Sequence, residues 1–331
     1  MMTRQEFARN PERVFDKAYG ALSGLAIGDS FGDASRKQSN RENYAITTDF
    51  NGGASWSTDD TEFALLTAKT LIRCKGNLTS EEVVKSWLED VAVQDEFKRG
   101  GASEIEAANN LRRGLRPPFS GKYNAFHMSD GSAMRIGPIG ILCAGDPERA
   151  AQMAKIESEI SHYRDGVWGA QAVATAVAAA MVDATMDEIL DAAMRQIPQD
   201  SWLYYAMNHA FELVDQANGQ IFDVWMKLHD DLRTSSWATT AEAIPSAFAC
   251  LKAVNKDFRS GVVVAGNFGR DADTIGAVAG VILGAKYGAE QMPQAWIEKT
   301  RFPTGTCLNF TKGIDIRDYA QKLADLIVAQ P

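Results

Sequence analysis

The chain has 331 residues, 45% of them apolar and 23% charged, and 43 Asp and Glu against 34 Lys and Arg give a formal net charge of −9. A chain this long buries a core without disulfides or a structural metal. Its acidic balance counts against nucleic acid polymers and anionic membranes, which bind basic patches.

The N-terminal stretch has no apolar signal core. The longest apolar runs, 172–182 and 276–285, fall well short of the about 20 residues that a bilayer span needs. A cytoplasmic location and no membrane partner are expected. Cys74, Cys143, Cys250 and Cys307 stand far apart with no CxxC pair, which speaks for reduced, buried thiols rather than a zinc or redox motif.

In chain order, helical periodicity predicts helices over 83–91, 151–160, 170–182, 186–195, 244–254, 272–287 and 316–328. Strand candidates are few and short, 44–48 and 262–265, each equally readable as a loop or a helix end, and no strand–helix alternation is present. The expected fold is all-α, a single multi-helix domain over 1–331. No Ser/Gly/Pro linker divides it; 112–123, broken by Pro117 and Pro118, reads as a loop within the domain.

Gly20, Gly24, Gly28 and Gly32 recur every four residues, as do Gly276, Gly280, Gly284 and Gly288. Positions four apart share one helix face. Glycine costs about 1 kcal/mol per helical site relative to alanine, so two such stripes predict helices packed backbone to backbone.

Acidic clusters adjoin both stripes. Ser57-Thr58-Asp59-Asp60-Thr61-Glu62 opens an apolar helix, where one acid is enough for a cap and two exceed the need. Gly269-Arg270-Asp271-Ala272-Asp273-Thr274 opens the second glycine helix. Four carboxylates brought together repel unless cations neutralise them. Thr58, Asp59, Asp60, Asp271, Asp273 and Thr274 form an oxygen-only set suited to one or two Mg²⁺ or Mn²⁺ ions, a metal centre at helix N-termini. Asp29 and Asp33, beside the first stripe, are expected to be paired or to face a ligand. Gly131, Ser132, Met134 and Arg135 follow Asp130 in a small-residue turn, with Arg135 a fork-shaped donor for anions. His162 is one of four histidines. Trp168, Trp202, Trp225 and Trp237 either line a substrate cleft or fill the core, and the core is expected.

Together, Gly20–Gly32 with Asp29, Thr58-Asp59-Asp60-Thr61, Gly131 to Arg135, Ser161-His162, Glu242 to Ala247 and Gly269–Thr274 resemble the ADP-ribosylglycohydrolase family, in the family's order, over about 18–290 of the chain. The resemblance implies an all-α fold with a two-Mg²⁺ centre, sometimes Mn²⁺, that hydrolyses the bond between ADP-ribose and arginine, serine or another acceptor. It makes Thr58, Asp59, Asp60, Asp271, Asp273 and Thr274 the metal ligands, with Asp59 or Asp60 as general base. Asp29, Asp33, Gly131, Ser132, Met134, Arg135 and His162 are then candidates for holding the substrate. One departure is visible: many members carry a glutamate shortly after the Gly-Asp-x-x-Gly element, where this chain reads Asp33-Ala34-Ser35-Arg36-Lys37. A nucleosidase-like or sugar-conjugate N-glycosidase is the alternative enzyme. A non-catalytic ADP-ribose-binding protein is the alternative of another class.

Overall fold

The computed structural model describes residues 2–37, 46–50, 56–95 and 97–330. Among the described residues there are 18 α-helices and no strand. In chain order they are α1 (Arg4–Ala8), α2 (Pro11–Arg36), α3 (Asp59–Arg73), α4 (Ser80–Asp90), α5 (Ala102–Arg112), α6 (Phe119–Lys122), α7 (Gly131–Met134), α8 (Gly137–Leu142) and α9 (Pro147–Ser158). There follow α10 (Asp165–Ala180), α11 (Met186–Met194), α12 (Trp202–Gln216), α13 (Trp225–Leu232), α14 (Thr240–Ala253), α15 (Phe258–Gly266), α16 (Ala272–Tyr287), α17 (Gln294–Thr300) and α18 (Ile316–Ala329). No described helix is long and apolar enough to cross a membrane.

Helices α2 and α16 form the axis of the molecule. Asn10 caps α2 by accepting from the Arg13 amide, and Pro11 takes the first helical position, where its missing N–H costs nothing. The two glycine stripes meet antiparallel. Gly20 faces Gly284, Gly24 faces Gly280, Gly28 faces Gly276, and Gly32 faces Ala272. At each crossing a side chain would collide with a carbonyl of the other helix; a Cβ at Gly20 would already stand 2.6 Å from the Gly284 oxygen. Direct backbone contact, with its dispersion and Cα–H···O contacts, offsets the low helix propensity of the glycines. Around this pair pack α10, α14, α15 and α18, and the apolar core they share runs from Phe7 to Ile327.

Three expectations need correction. Residues 262–265 lie inside α15, which Asp257 caps by accepting from the Ser260 amide at 2.7 Å. A four-residue apolar run has no readable period, and the cap decides it. Of the other strand candidate, 44–45 lies outside the described residues and 46–48 is not strand. Of the four tryptophans, Trp168 and Trp225 pack half-buried against the core, but Trp202 and Trp237 are 48% and 56% exposed.

Candidate active site

The antiparallel pairing brings the C-terminal turns of α2 beside the N-terminus of α16. Asp29 and Asp33, one turn apart, therefore lie against Asp271 and Asp273. The third component is the N-terminus of α3, and Asp29 secures it. Asp29 is fully buried within α2. Its carboxylate accepts from the Thr58 amide at 3.0 Å, the Thr58 hydroxyl at 2.6 Å, the Thr61 amide at 3.2 Å and the Thr61 hydroxyl. This satisfies amide donors that a helix start leaves open and sets a negative charge at the positive end of the dipole. Burial nonetheless pushes the Asp29 carboxyl up to about 7. Glu62, one turn further on, accepts from the amides of Thr306, Cys307 and Leu308 at 3.0, 2.9 and 2.7 Å and ties the 304–308 loop to the same helix.

With α3 fixed in this way, Asp59 and Asp60 face a cavity of about 370 Å³ whose opposite wall is Asp271, Asp273 and Thr274. Two further acids complete the wall, Asp130 and Glu104. Burial first, and then the neighbouring Asp130 charge, hold the Asp271 carboxyl well above the usual range. Asp60 Oδ1 and Asp130 Oδ2 are buried without a hydrogen-bond partner. Phe126 and Trp237, 50% and 56% exposed, stand at the cavity's edge. Trp237 is placed by a strap in which Asp130 N–H donates to the Ala238 carbonyl at 3.0 Å and Thr240 N–H to the Met128 carbonyl at 3.0 Å.

Of the residues expected to hold substrate, Gly131 and Met134 line the cavity; Ser132, Arg135 and His162 do not. Ser132 donates to the Gly166 carbonyl at 2.8 Å. Arg135 is fully buried. It gives its donors to Glu157 (2.8 Å), Glu104 (2.9 Å), the Gly131 carbonyl (2.8 Å) and Ser161 Oγ (2.7 Å), which leaves no fork for an anion. The correction has a simple cause: two buried carboxylates, Glu104 and Glu157, claim the guanidinium before any ligand does.

His162 belongs to the same network. Its Nδ1 lies 2.7 Å from Ser161 Oγ and its Nε2 2.9 Å from Ser129 Oγ. Ser129 then donates to Ser103 at 2.9 Å, and Ser103 to Glu104 at 2.8 Å. The donors run in one direction: Ser161 accepts from Arg135 and so gives its proton to Nδ1, which assigns the Nε2–H tautomer. Burial first, and then Arg135, hold the His162 pKa well below its ordinary value, so the ring is neutral. The circuit closes through Arg135 and aims Glu104 into the cavity. Gly131 is needed there, since a Cβ would run into Glu104 Oε1.

Asp33 also turns away from the cavity. It is paired with Arg36, Arg99 (2.6 Å) and the Trp56 indole N–H. Burial works against its charge, but Arg99 and Arg36 hold its carboxyl below the usual range. Arg270 clamps Glu242 of α14 with two donors. Glu104, Arg99 and Phe126 are not among the residues that the sequence offers as site candidates. The signal for Glu104 was present in Gly100-Gly101-Ala102-Ser103-Glu104, a glycine pair followed by an acid in the first helical turn.

Among the described residues no three His, Cys, Asp or Glu side chains already close around one point. The donor set still fits a hard divalent cation. It is made of carboxylate and hydroxyl oxygens, and two buried carboxylate oxygens lack any partner.

The electrostatics carry a consequence for the protein without cations. Asp29, Asp59, Asp60, Asp130, Asp271 and Asp273 are all raised, by burial first and then mostly by one another. Unfolded, they lose their protons near pH 4; folded, Asp29 and Asp130 keep theirs to about 7. The folded chain binds more protons over that interval, so stability falls as pH rises. Carboxyls held low, such as Asp33, act only below about pH 4, and neutral His162 opposes the trend alone below about pH 6.5. The metal-free protein should therefore melt at a higher temperature at about pH 6.5 than at about pH 8. Calorimetry in a chelator checks this, and equal or reversed melting temperatures contradict it.

The ADP-ribosylglycohydrolase family pattern matches residues 10–331. An uncharacterized protein of Archaeoglobus fulgidus is 28% identical over 298 residues, covering 86% of this chain and 91% of its own length. An ADP-ribosylarginine hydrolase of Pseudomonas putida is 27% identical over 300 residues, covering 87% and 75%. The ADP-ribosyl-dinitrogen reductase glycohydrolase of Rhodospirillum rubrum is 24% identical over 304 residues, covering 86% and 90%. A solved chain described as an ADP-ribosylglycohydrolase-related protein complex shares the fold, with a TM-score of 0.65 at 20% identity over 96% of this chain and 99% of that one. With a matching family pattern over nearly its whole length, the chain belongs to the ADP-ribosylglycohydrolase family, as a glycosidic-bond hydrolase of the class that acts on ADP-ribosyl conjugates.

Proposed function

We propose that this chain releases ADP-ribose from an ADP-ribosyl-arginine conjugate, using two divalent cations, Mg²⁺ or Mn²⁺. Thr58, Asp59 and Asp60 would hold them from α3, and Asp271, Asp273 and Thr274 from α16. The observation that carries this is the convergence of two acid-bearing helix N-termini on one cavity, with Asp60 Oδ1 and Asp130 Oδ2 unpartnered. When bound, such cations orient the ribose hydroxyls and make a water a better nucleophile.

The chain's own residues supply the rest. Asp59, only half-buried, faces the cavity beside Gly101 and is the acceptor for the proton of the attacking water. Burial first, and then the Glu104 charge, raise its pKa, and a higher pKa makes the carboxylate a stronger proton acceptor. Asp60, Asp271 and Asp273 stabilise the positive charge that develops on the ribose as the bond to the acceptor breaks. Phe126 and Trp237 offer flat apolar faces for the purine. A cavity of about 370 Å³ is in the range of small-ligand sites.

Three considerations favour arginine as the acceptor. The acidic walls suit a cationic leaving group, and a relative at 27% identity is named an ADP-ribosylarginine hydrolase. The carboxylates also already accept a guanidinium, that of Arg36, at 2.8 Å from Asp273. The purified protein is to be offered ADP-ribosyl-arginine, ADP-ribosyl-serine and simple nucleosides with Mg²⁺ or Mn²⁺. ADP-ribose should appear fastest from the arginine conjugate. Free base released from nucleosides instead would establish the nucleosidase alternative, and no cleavage of any substrate would leave only a binding protein.

A further inference from the structure

We propose that Arg36 is a resident counter-cation of this cavity: it neutralises the Asp271–Asp273 side, and a divalent ion must displace it to bind there. The inference rests on the cation site proposed above.

Arg36 closes α2, and its guanidinium reaches across the helix pair. Nη1 lies 2.8 Å from Asp273 Oδ1 and 3.3 Å from Asp271 Oδ1. Nε and Nη2 remain on Asp33 Oδ1, at 3.1 and 2.9 Å. Burial disfavours the charge, but Asp273, Asp33 and Asp271 together outweigh it and raise the Arg36 pKa. A guanidinium is charged at every working pH, so this contact does not switch off by titration. Among the described residues the other nearby arginines are committed elsewhere: Arg135 to Glu104 and Glu157, Arg270 to Glu242, and Arg99 to Asp33.

The two halves of the cavity therefore differ. On the α3 side Asp60 Oδ1 has no partner, and a cation meets no competitor there. On the α16 side one oxygen each of Asp271 and Asp273 is already turned to Nη1, and a divalent ion using those oxygens must break both contacts. The anchor at Asp33 makes displacement local. Asp33 is 2% exposed and also held by Arg99 and Trp56, so the guanidinium pivots as one plane about its Asp33 contacts when Nη1 leaves Asp271 and Asp273.

The test is Mn²⁺ binding to the full-length protein, followed by calorimetry and by the electron paramagnetic resonance signal of free Mn²⁺. Wild type should show two unequal sites. In Arg36→Gln the weaker site should tighten about tenfold, the scale of a lost charge-assisted contact. In a chelator the same variant should melt below wild type, because its carboxylates lose their counter-charge. Arg36→Lys keeps a charge without the fork and should fall between the two; if Arg36→Gln fails to fold, Arg36→Lys alone should still tighten the weaker site. Identical Mn²⁺ isotherms in wild type and the variants overturn the role of Arg36 and leave the cation site standing. Absence of Mn²⁺ binding in all of them overturns both.

Discussion

Replacing Gly28 by alanine should cost about 3 kcal/mol of stability, the upper end of the usual range for overpacking. The new Cβ would land inside the van der Waals shell of the Gly276 carbonyl, with the Gly276 carbon and the Ala277 nitrogen close behind. All three are backbone atoms, so no rotamer change relieves the clash. The helices must part, and they part at the end that carries Asp29, Asp33 and Asp273. Activity should then fall along with the melting temperature. Gly20→Ala, at the far end and with its nearest atoms at 2.6–2.7 Å, should cost less and spare activity. Gly276→Ala alone should resemble Gly28→Ala, and the double variant should cost less than the sum, because one separation of the helices accommodates both methyls. Chemical denaturation of the four proteins decides it; a Gly28→Ala protein as stable as wild type would mean that the stripes are not in contact.

Asp60→Asn separates catalysis from folding. The side chain keeps its shape but loses the charge that Asp29, Asp273 and Asp59 oppose after burial has already raised its pKa. Removing an unpartnered buried charge relieves that repulsion, and the new amide finds carboxylate acceptors around it. The metal-free variant should melt at a higher temperature than metal-free wild type. Turnover should move the other way, with kcat/KM lower by about 10²–10³-fold, the usual loss for one preorganised electrostatic contact. Added Mg²⁺ should raise the melting temperature of wild type more than that of the variant. A variant that is both less stable and inactive would show only misfolding; one with full activity would remove Asp60 from the site.

Much of this architecture was legible in the sequence because it is written in local periodicity. The i, i+4 glycines announce a shared face, and with two stripes the partner of each is implied. Thr58-Asp59-Asp60 and Asp271-Ala272-Asp273 announce helix starts with more acid than capping requires. What was not legible depends on contacts distant in sequence. Arg135 reads as an anion donor until Glu104 and Glu157, 31 and 22 residues away, are seen to take its guanidinium. His162 reads as a candidate ligand until Ser129 and Ser161 close a circuit around it. Trp237 reads as core because tryptophan is apolar, yet the strap between 128–130 and 238–240 carries it to the cavity's edge. Arg36 was visible as a departure in a motif, but its reach to Asp271 and Asp273 follows only from the antiparallel pairing of α2 and α16.

The central claim is that the carboxylate cavity works only with divalent cations. The most direct measurement is the rate of ADP-ribose release from an ADP-ribosyl-arginine peptide by protein stripped with a chelator, then titrated with Mg²⁺ or Mn²⁺. The expected result is no release from the stripped protein and a saturable return of activity with added cation, absent in Asp271→Ala. Full release by the stripped protein, or by Asp271→Ala, would contradict it.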